Sequence, residues 1–383
     1  MTTSRRGFLR SLTGGAAASV AWGWPVSESS AAALFEPPRA SQDPGLIRLN
    51  SNENAYGPTP KTLDAIRSAI GSVNRYPFKE TNSLRERIAS LHHVHPEQVL
   101  IGCGSTEILR MAACAFLGGG KQLLQASPTF EAIERYAQIA GAGIASVRLN
   151  SAFAHDVDAM LAKTTPSTTL VYICNPNNPT ASLTPRKDLE HLIAKLPASA
   201  FVVIDEAYHH FAGRSDNYIS FIERPLDDER VIVMRTFSKV YGLAGMRLGY
   251  AVGSAKAVQQ MRKFASEANT NAIVVQAAAA ALDDTEAIDK AVDRNADDRQ
   301  EFFNQALGRM IKPIDSHANF VMMNVMHPAE QVIQDFARNN VLVGRRFPAL
   351  DTYIRVTLGR PEEMLAFWHT WDTFPYSKDM MSH

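Results

Sequence analysis

Four short segments carry residue types that could do chemistry together. The richest is Arg235-Thr236-Phe237-Ser238-Lys239-Val240-Tyr241-Gly242-Leu243-Ala244-Gly245-Met246-Arg247-Leu248-Gly249-Tyr250, where hydroxyls and glycines surround a lysine and an arginine follows. Such a lysine suits a Schiff base, and Ser238 and Arg247 suit an adjoining phosphate. An exposed basic loop would need neither the glycines nor the long apolar flank. In the second segment, Asp205-Glu206-Ala207-Tyr208, the first carboxylate ends an apolar run. A buried unpaired charge is costly, so Asp205 needs a partner. A protonated heterocyclic nitrogen, a structural arginine or a metal would each serve. His209 and His210 hint at metal, but neighbours along a strand face opposite ways and make poor co-ligands, so no metal is expected. The third segment, Gly102-Cys103-Gly104-Ser105-Thr106-Glu107, precedes a helical pattern. Its glycines and hydroxyls suit an anion at a helix N-terminus, although a plain capped helix start would use the same residues. The fourth, Asn175-Pro176-Asn177-Asn178-Pro179-Thr180, can aim amides at a ligand or form an ordinary turn.

Each segment follows an apolar run, and the runs define the scaffold. They lie at residues 99–101, 122–124, 170–173, 201–204 and 231–234. Continuous apolar runs suit strands buried on both faces. Amphipathic stretches between them imply an α/β fold, a mostly parallel sheet sandwiched by helices. Ligands of such sheets bind at the carboxyl ends of the strands, where these segments fall. A short strand is expected at 46–49 and a helix at 62–70. The last third differs: a long charged helical pattern at 285–310, a strand at 319–323, a helix near 328–338, and strands around Val341 and Ile354. It reads as a smaller α+β domain packed with residues 34–75. The expected division is 1–33, 34–75, 76–268 and 269–383.

Composition excludes several classes. The 383-residue chain balances 39 Lys+Arg against 39 Asp+Glu, without the basic excess of a nucleic-acid binder. No apolar run is long enough for a membrane span. Three cysteines without C-x-x-C indicate neither a disulfide framework nor a zinc knuckle. Cys103, Cys114 and Cys174 read as buried small residues, and Met322, Met323 and Met326 as small-domain core. His92, His93 and His95 read as a solvated helix end. The charge balance breaks in residues 1–33, which hold Arg5, Arg6 and Arg10 but only Glu28. Ser4-Arg5-Arg6-Gly7-Phe8-Leu9 resembles a twin-arginine export motif, and Ala31-Ala32-Ala33 a cleavage site, which implies a periplasmic protein exported in folded form. Without residues 1–33 the chain keeps 36 positive and 38 negative groups.

Together the segments resemble the fold-type I pyridoxal-phosphate aminotransferases, and within them the histidinol-phosphate aminotransferase family. The resemblance extends to Asn52-Glu53-Asn54-Ala55-Tyr56-Gly57-Pro58, Asn74-Arg75-Tyr76-Pro77, Pro128-Thr129-Phe130 and Ala318-Asn319-Phe320. It implies pyridoxal 5'-phosphate as cofactor, carried on Lys239 as a Schiff base. It implies Asp205 on the pyridine nitrogen, Tyr208 and Asn178 on the 3-oxygen and Phe130 stacked on the ring. Gly104, Ser105, Thr106, Thr236, Ser238 and Arg247 would surround the phosphate. Arg355 would bind the substrate α-carboxylate, with Tyr56 and Asn178 nearby. Tyr76 would reach into a partner subunit, which implies a homodimer. The substrates implied are an amino acid, or histidinol phosphate, and a 2-oxo acid. The same residues would also serve a decarboxylase or lyase on this scaffold, or a non-catalytic cofactor-binding protein.

One position departs from the pattern. Gly344 stands where many family members carry an arginine for a distal phosphate, and Arg345, Arg346, Phe347 and Pro348 follow. Either Arg345 substitutes after a one-residue shift, or the side-chain pocket differs. Export is also unusual for a histidine-biosynthetic enzyme, so an aromatic or other amino acid is an alternative substrate.

Overall fold

The structure is a computed structural model. It describes residues 45–213 and 215–380; the expected export segment and its cleavage site lie outside the described residues. The described residues from Leu46 onward cluster as one compact unit.

Twelve strands follow one another among the described residues: β1 (Ile47–Leu49), β2 (Val99–Gly102), β3 (Gln122–Ser127), β4 (Gly143–Arg148), β5 (Thr168–Cys174), β6 (Phe201–Asp205), β7 (Val231–Thr236), β8 (Gly249–Gly253), β9 (Lys312–Pro313), β10 (Phe320–Asn324), β11 (Val341–Val343) and β12 (Tyr353–Thr357). Seven of them form the main sheet in the order β2-β8-β7-β6-β5-β3-β4. The pairs β4-β3, β3-β5, β5-β6 and β6-β7 are parallel, and only β8 runs against its neighbours. The expected mostly parallel α/β sheet is therefore present.

Alternation along the strands explains why both faces are covered. Val171 and Ile173, Val202 and Ile204, and Val231 and Val233 enter one apolar cluster. Their neighbours Leu170, Tyr172, Val203, Ile232 and Met234 enter another on the opposite face. Successive side chains of a strand point to opposite faces, so a run apolar at every position needs helices on both sides. Helix Ser105–Phe116 supplies Ile108, Leu109, Ala112 and Phe116 to the second cluster. Helix Ala272–Leu282 supplies Val274, Val275 and Ala278 to the first.

A second assembly lies beside this sheet. Strands β12-β10-β9 form an antiparallel sheet, and β1 pairs in parallel with β11, bringing Leu49 opposite Val343. Phe302, Phe336, Phe367, Trp368 and Trp371 fill its core.

Three strands lie where no run pointed, the two-residue β9 among them. β4 is an edge strand with mostly exposed or half-buried residues, so it carries little apolar signal. β8 begins at Gly249, inside the glycine-rich lysine segment. Met322 and Met323 are core, but Met326 is exposed, because it follows the end of β10 in a left-handed turn closed by its N–H to Asn324 Oδ1 (3.0 Å). His92 is not solvated: it packs on the Tyr250 ring and bonds its hydroxyl at 2.9 Å.

Candidate active site

The ends of β2, β6 and β7 and the start of β8 meet at one edge of the main sheet, where Gly102 and Thr236 both pair with Gly249. The turns leaving that edge surround a cavity of about 760 Å³. Lys239, Asp205, Tyr208, Asn178, Phe130, Ser105, Thr106, Thr236, Ser238, Arg247, Arg345 and Arg355 all line it. Residues far apart in sequence therefore converge as the pattern required.

The buried end of the cavity holds Asp205, closed off from water. Its Oδ2 accepts from the Tyr172 hydroxyl (2.9 Å) and its Oδ1 from the Ala207 amide (3.1 Å). Burial pushes its carboxyl up to about 6, against the pull of those two donors. The structural arginine considered as its partner goes elsewhere. Arg235 sends Nε and a terminal nitrogen to Glu206 Oε2 (3.1 and 3.0 Å). The Ser220 hydroxyl and Phe221 amide complete the Glu206 carboxylate. Neighbouring Asp205 and Glu206 thus divide the work, one open to the cavity and one spent on structure. Among the described residues no group of three or more His, Cys, Asp and Glu is placed to hold a metal ion. The strand ends at Asp205, so His209 and His210 do not alternate across it. They open a one-turn helix with their rings 3.7 Å apart, half-buried and held neutral.

Lys239 approaches from the β7–β8 connection. Its Nζ donates to the Asn52 carbonyl (3.0 Å) and stands over the Tyr208 ring at 5.4 Å. Burial, then the charge of Arg355, lowers its amine to about 8. The Tyr208 hydroxyl accepts from Asn52 Nδ2 (3.1 Å), and its ring meets Phe320 edge-on.

At the other end is an anion cradle. Gly104 caps helix Ser105–Phe116 in the left-handed region and supplies no side-chain cap, so the helix start is open. The capping explanation of Ser105 and Thr106 therefore falls away. Arg247 bonds Ser238 Oγ at 3.3 Å, and Thr236 donates to the same oxygen at 3.0 Å. A Cβ on Gly104 would collide with the Arg247 guanidinium. Cys103 is exposed rather than buried, lifted out between two glycines with its amide on Glu107.

Arg355, on β12, faces the cavity from the second assembly. Its terminal nitrogens donate to Asn178 Oδ1 (2.7 Å) and the Asn50 carbonyl (2.9 Å), while Nε has no partner. Gly344 explains itself here. A Cβ there would stand 2.8 Å from the Arg355 carbonyl and 2.9 Å from its Cβ. Position 344 therefore has no room for an arginine, and the next residue, Arg345, reaches the cavity instead.

Two expected residues are placed elsewhere. Tyr56 donates to Asp298 (3.1 Å) under the Arg294 guanidinium, outside the main cavity, because its turn faces helix Thr285–Leu307. Tyr76 is 75 % exposed and stacked on Phe78, so its own chain does not bring it to the site. Sequence reasoning missed Tyr172, hidden in an apolar run, Asn52 as the lysine's acceptor, and Glu131 and Phe347 on the wall. Phe347 and Glu131 adjoin residues already singled out, which was the only signal available.

A half-buried lysine, a buried carboxylate with neutral donors, an open helix start beside an arginine, and the sheet edge together suit an enzyme that carries a phosphate-bearing cofactor on a fold type I sheet. The chain belongs to the aminotransferase class I and II family, which matches residues 44–367. It is 34 % identical over 318 residues to histidinol-phosphate aminotransferase of Moorella thermoacetica, covering 82 % of this chain and 81 % of that one. It is 35 % identical over 329 residues to histidinol-phosphate aminotransferase 2 of Carboxydothermus hydrogenoformans, covering 84 % and 89 %. Its fold matches the crystal structure of histidinol-phosphate aminotransferase from Sinorhizobium meliloti in complex with pyridoxal-5'-phosphate, with a TM-score of 0.80 and 26 % identity, covering 88 % and 91 %. The chain is thus a pyridoxal-phosphate-dependent aminotransferase.

Proposed function

We propose that the chain moves an amino group between an α-amino acid and a 2-oxo acid, with Lys239 as cofactor-bearing residue and proton carrier. The observation that carries this is the convergence of Lys239, Asp205 and Arg355 on one cavity. Pyridoxal phosphate, when bound, supplies a cationic conjugated ring that takes up the charge left by a broken Cα–H bond. Asp205, lacking a cationic hydrogen-bond partner, is the residue to hold the ring nitrogen protonated. Tyr208 and Asn178 would hold the ring's oxygen, and Phe130 would cover its face. Ser105, Thr106, Thr236, Ser238, Arg247 and the Gly104 backbone would hold the phosphate. Lys239, already depressed to about 8, can hold a proton at Nζ and release it near neutral pH. Arg355 would take the α-carboxylate, the planar fork suiting that geometry.

Histidinol phosphate is the second reading of the donor, favoured by the named relatives. A donor panel with 2-oxoglutarate, histidinol phosphate included, tests both. Glutamate should form with at least one donor, and Lys239→Ala should lose turnover and the cofactor's visible absorption. Carbon dioxide or ammonia without glutamate, or an unchanged spectrum in Lys239→Ala, would overturn the reading.

The same reading has two copies pairing, so that Tyr76 of the partner subunit completes the cavity. The exposed Ile70, Val73, Tyr76 and Phe78 support it. It also has residues 1–33 directing folded chain to the periplasm, supported by Arg5-Arg6 and the small-residue stretch that follows.

A further inference from the structure

We propose that Glu131 is a specificity-determining residue, holding Arg345 and turning the distal end of the cavity against doubly charged side chains; this rests on the transamination reading above. The Glu131 carboxylate meets an Arg345 terminal nitrogen at 2.6 Å, and both line the cavity. Glu131 begins helix Ala132–Ile139 but makes no capping hydrogen bond, which leaves its carboxylate to Arg345 and, at longer range, to the charge of Arg355. Phe347, buried, fixes the arrangement. The Arg345 guanidinium lies 4.3 Å from its ring centre and the Arg355 guanidinium 5.3 Å. Two cationic groups thus flank one ring, and they differ in their partners. Arg355 is bonded to neutral acceptors, the Asn178 amide and the Asn50 carbonyl, and keeps its full charge for an anion. Arg345 is already neutralised. Glu53 is a further carboxylate on the cavity, 3.8 Å from Arg48.

The consequence is an order of preference at the distal end. An uncharged side chain enters without leaving a bare cation behind. A carboxylate must draw Arg345 from Glu131. A phosphate must do so and also bear a second charge beside the displaced carboxylate. Glu131 and Arg345 are 59 % and 52 % exposed, so the exchange is screened and reversible rather than forbidden.

The test uses the holoenzyme and three probes of similar length: pentanoate, glutarate and 4-phosphonobutyrate, titrated by calorimetry. Glu131→Gln should tighten 4-phosphonobutyrate about fivefold and glutarate about threefold, and leave pentanoate unchanged. Arg345→Gln should weaken glutarate and 4-phosphonobutyrate, whose distal ends are charged, and adding Glu131→Gln to it should restore nothing. In turnover, Glu131→Gln should raise kcat/KM for histidinol phosphate over that for phenylalanine by about fivefold. Glu131→Ser provides a second variant with the same expectation. Equal shifts for all probes, or none, with amino transfer intact, would overturn the role of Glu131 alone. No transfer from any donor by the unmodified chain would overturn the reading beneath it as well.

Discussion

Lys239 is held where burial and Arg355 both oppose a positive charge, which brings its amine from 10.5 down to about 8. The unfolded chain keeps that proton up to the ordinary value. Between the two values it therefore binds more proton than the fold, and stability rises with pH. Below about pH 8 the fold carries the full cost, and above 10.5 none. Lys239→Met should thus make the cofactor-free protein more stable at pH 7, by about 2 kcal/mol after the lost bond to Asn52 is offset. The gain should vanish near pH 10.5. Urea unfolding at the two pH values checks this, and a variant less stable than the parent at pH 7 would contradict it. Arg355→Ala should raise KM for the amino acid about a hundredfold and leave the cofactor's absorption in place. Cofactor loss in that variant would show that Arg355 has another task.

Among the elements, β8 and helix Ser105–Phe116 depend on each other through Gly249. A Cβ there would stand 2.5 Å from the Ser105 nitrogen and 3.0 Å from the Arg235 carbonyl, both backbone atoms that cannot swing away. Gly249→Ala should push the helix start off the sheet edge, at about 1–3 kcal/mol. Cofactor affinity should fall about tenfold with it, measured by fluorescence titration; an unchanged affinity would mean the cradle does not depend on this contact. The strands of the apolar runs were legible because burial on both faces demands apolar residues at every position. β4 and β8 were not, one being half-solvated and the other built from small residues that suit a turn as well as a strand. The substrate-facing wall was partly legible too. Gly344 read as a missing arginine, but its reason, the Arg355 backbone pressed against it, lies on β12.

For the molecule as a whole, Tyr76, Phe78 and Val73 stand exposed among the described residues, and the proposed second copy would cover them. Sedimentation should give the mass of two chains. Tyr76→Ala should weaken cofactor retention more than Tyr76→Phe, and a fully active monomer would remove the role of Tyr76. Arg5→Lys with Arg6→Lys should retain the precursor in the cytoplasm, read by fractionation. The described residues contain no helix long and apolar enough to cross a membrane.

Local chemistry was written in order along the chain: a lysine among hydroxyls and glycines, a carboxylate ending an apolar run, an arginine after the loop. Those residue types follow from the demands of a charged, phosphate-bearing ligand, and short-range pattern suffices to state them. Tertiary packing alone settled the partners. It sent Arg235 to Glu206 and left Asp205 with neutral donors. It gave Lys239 the carbonyl of Asn52, turned Tyr56 toward Asp298, and set Glu131 against Arg345. Each of those choices is a competition between groups distant in sequence, decided by burial and reach, and no spacing rule along one strand can express it.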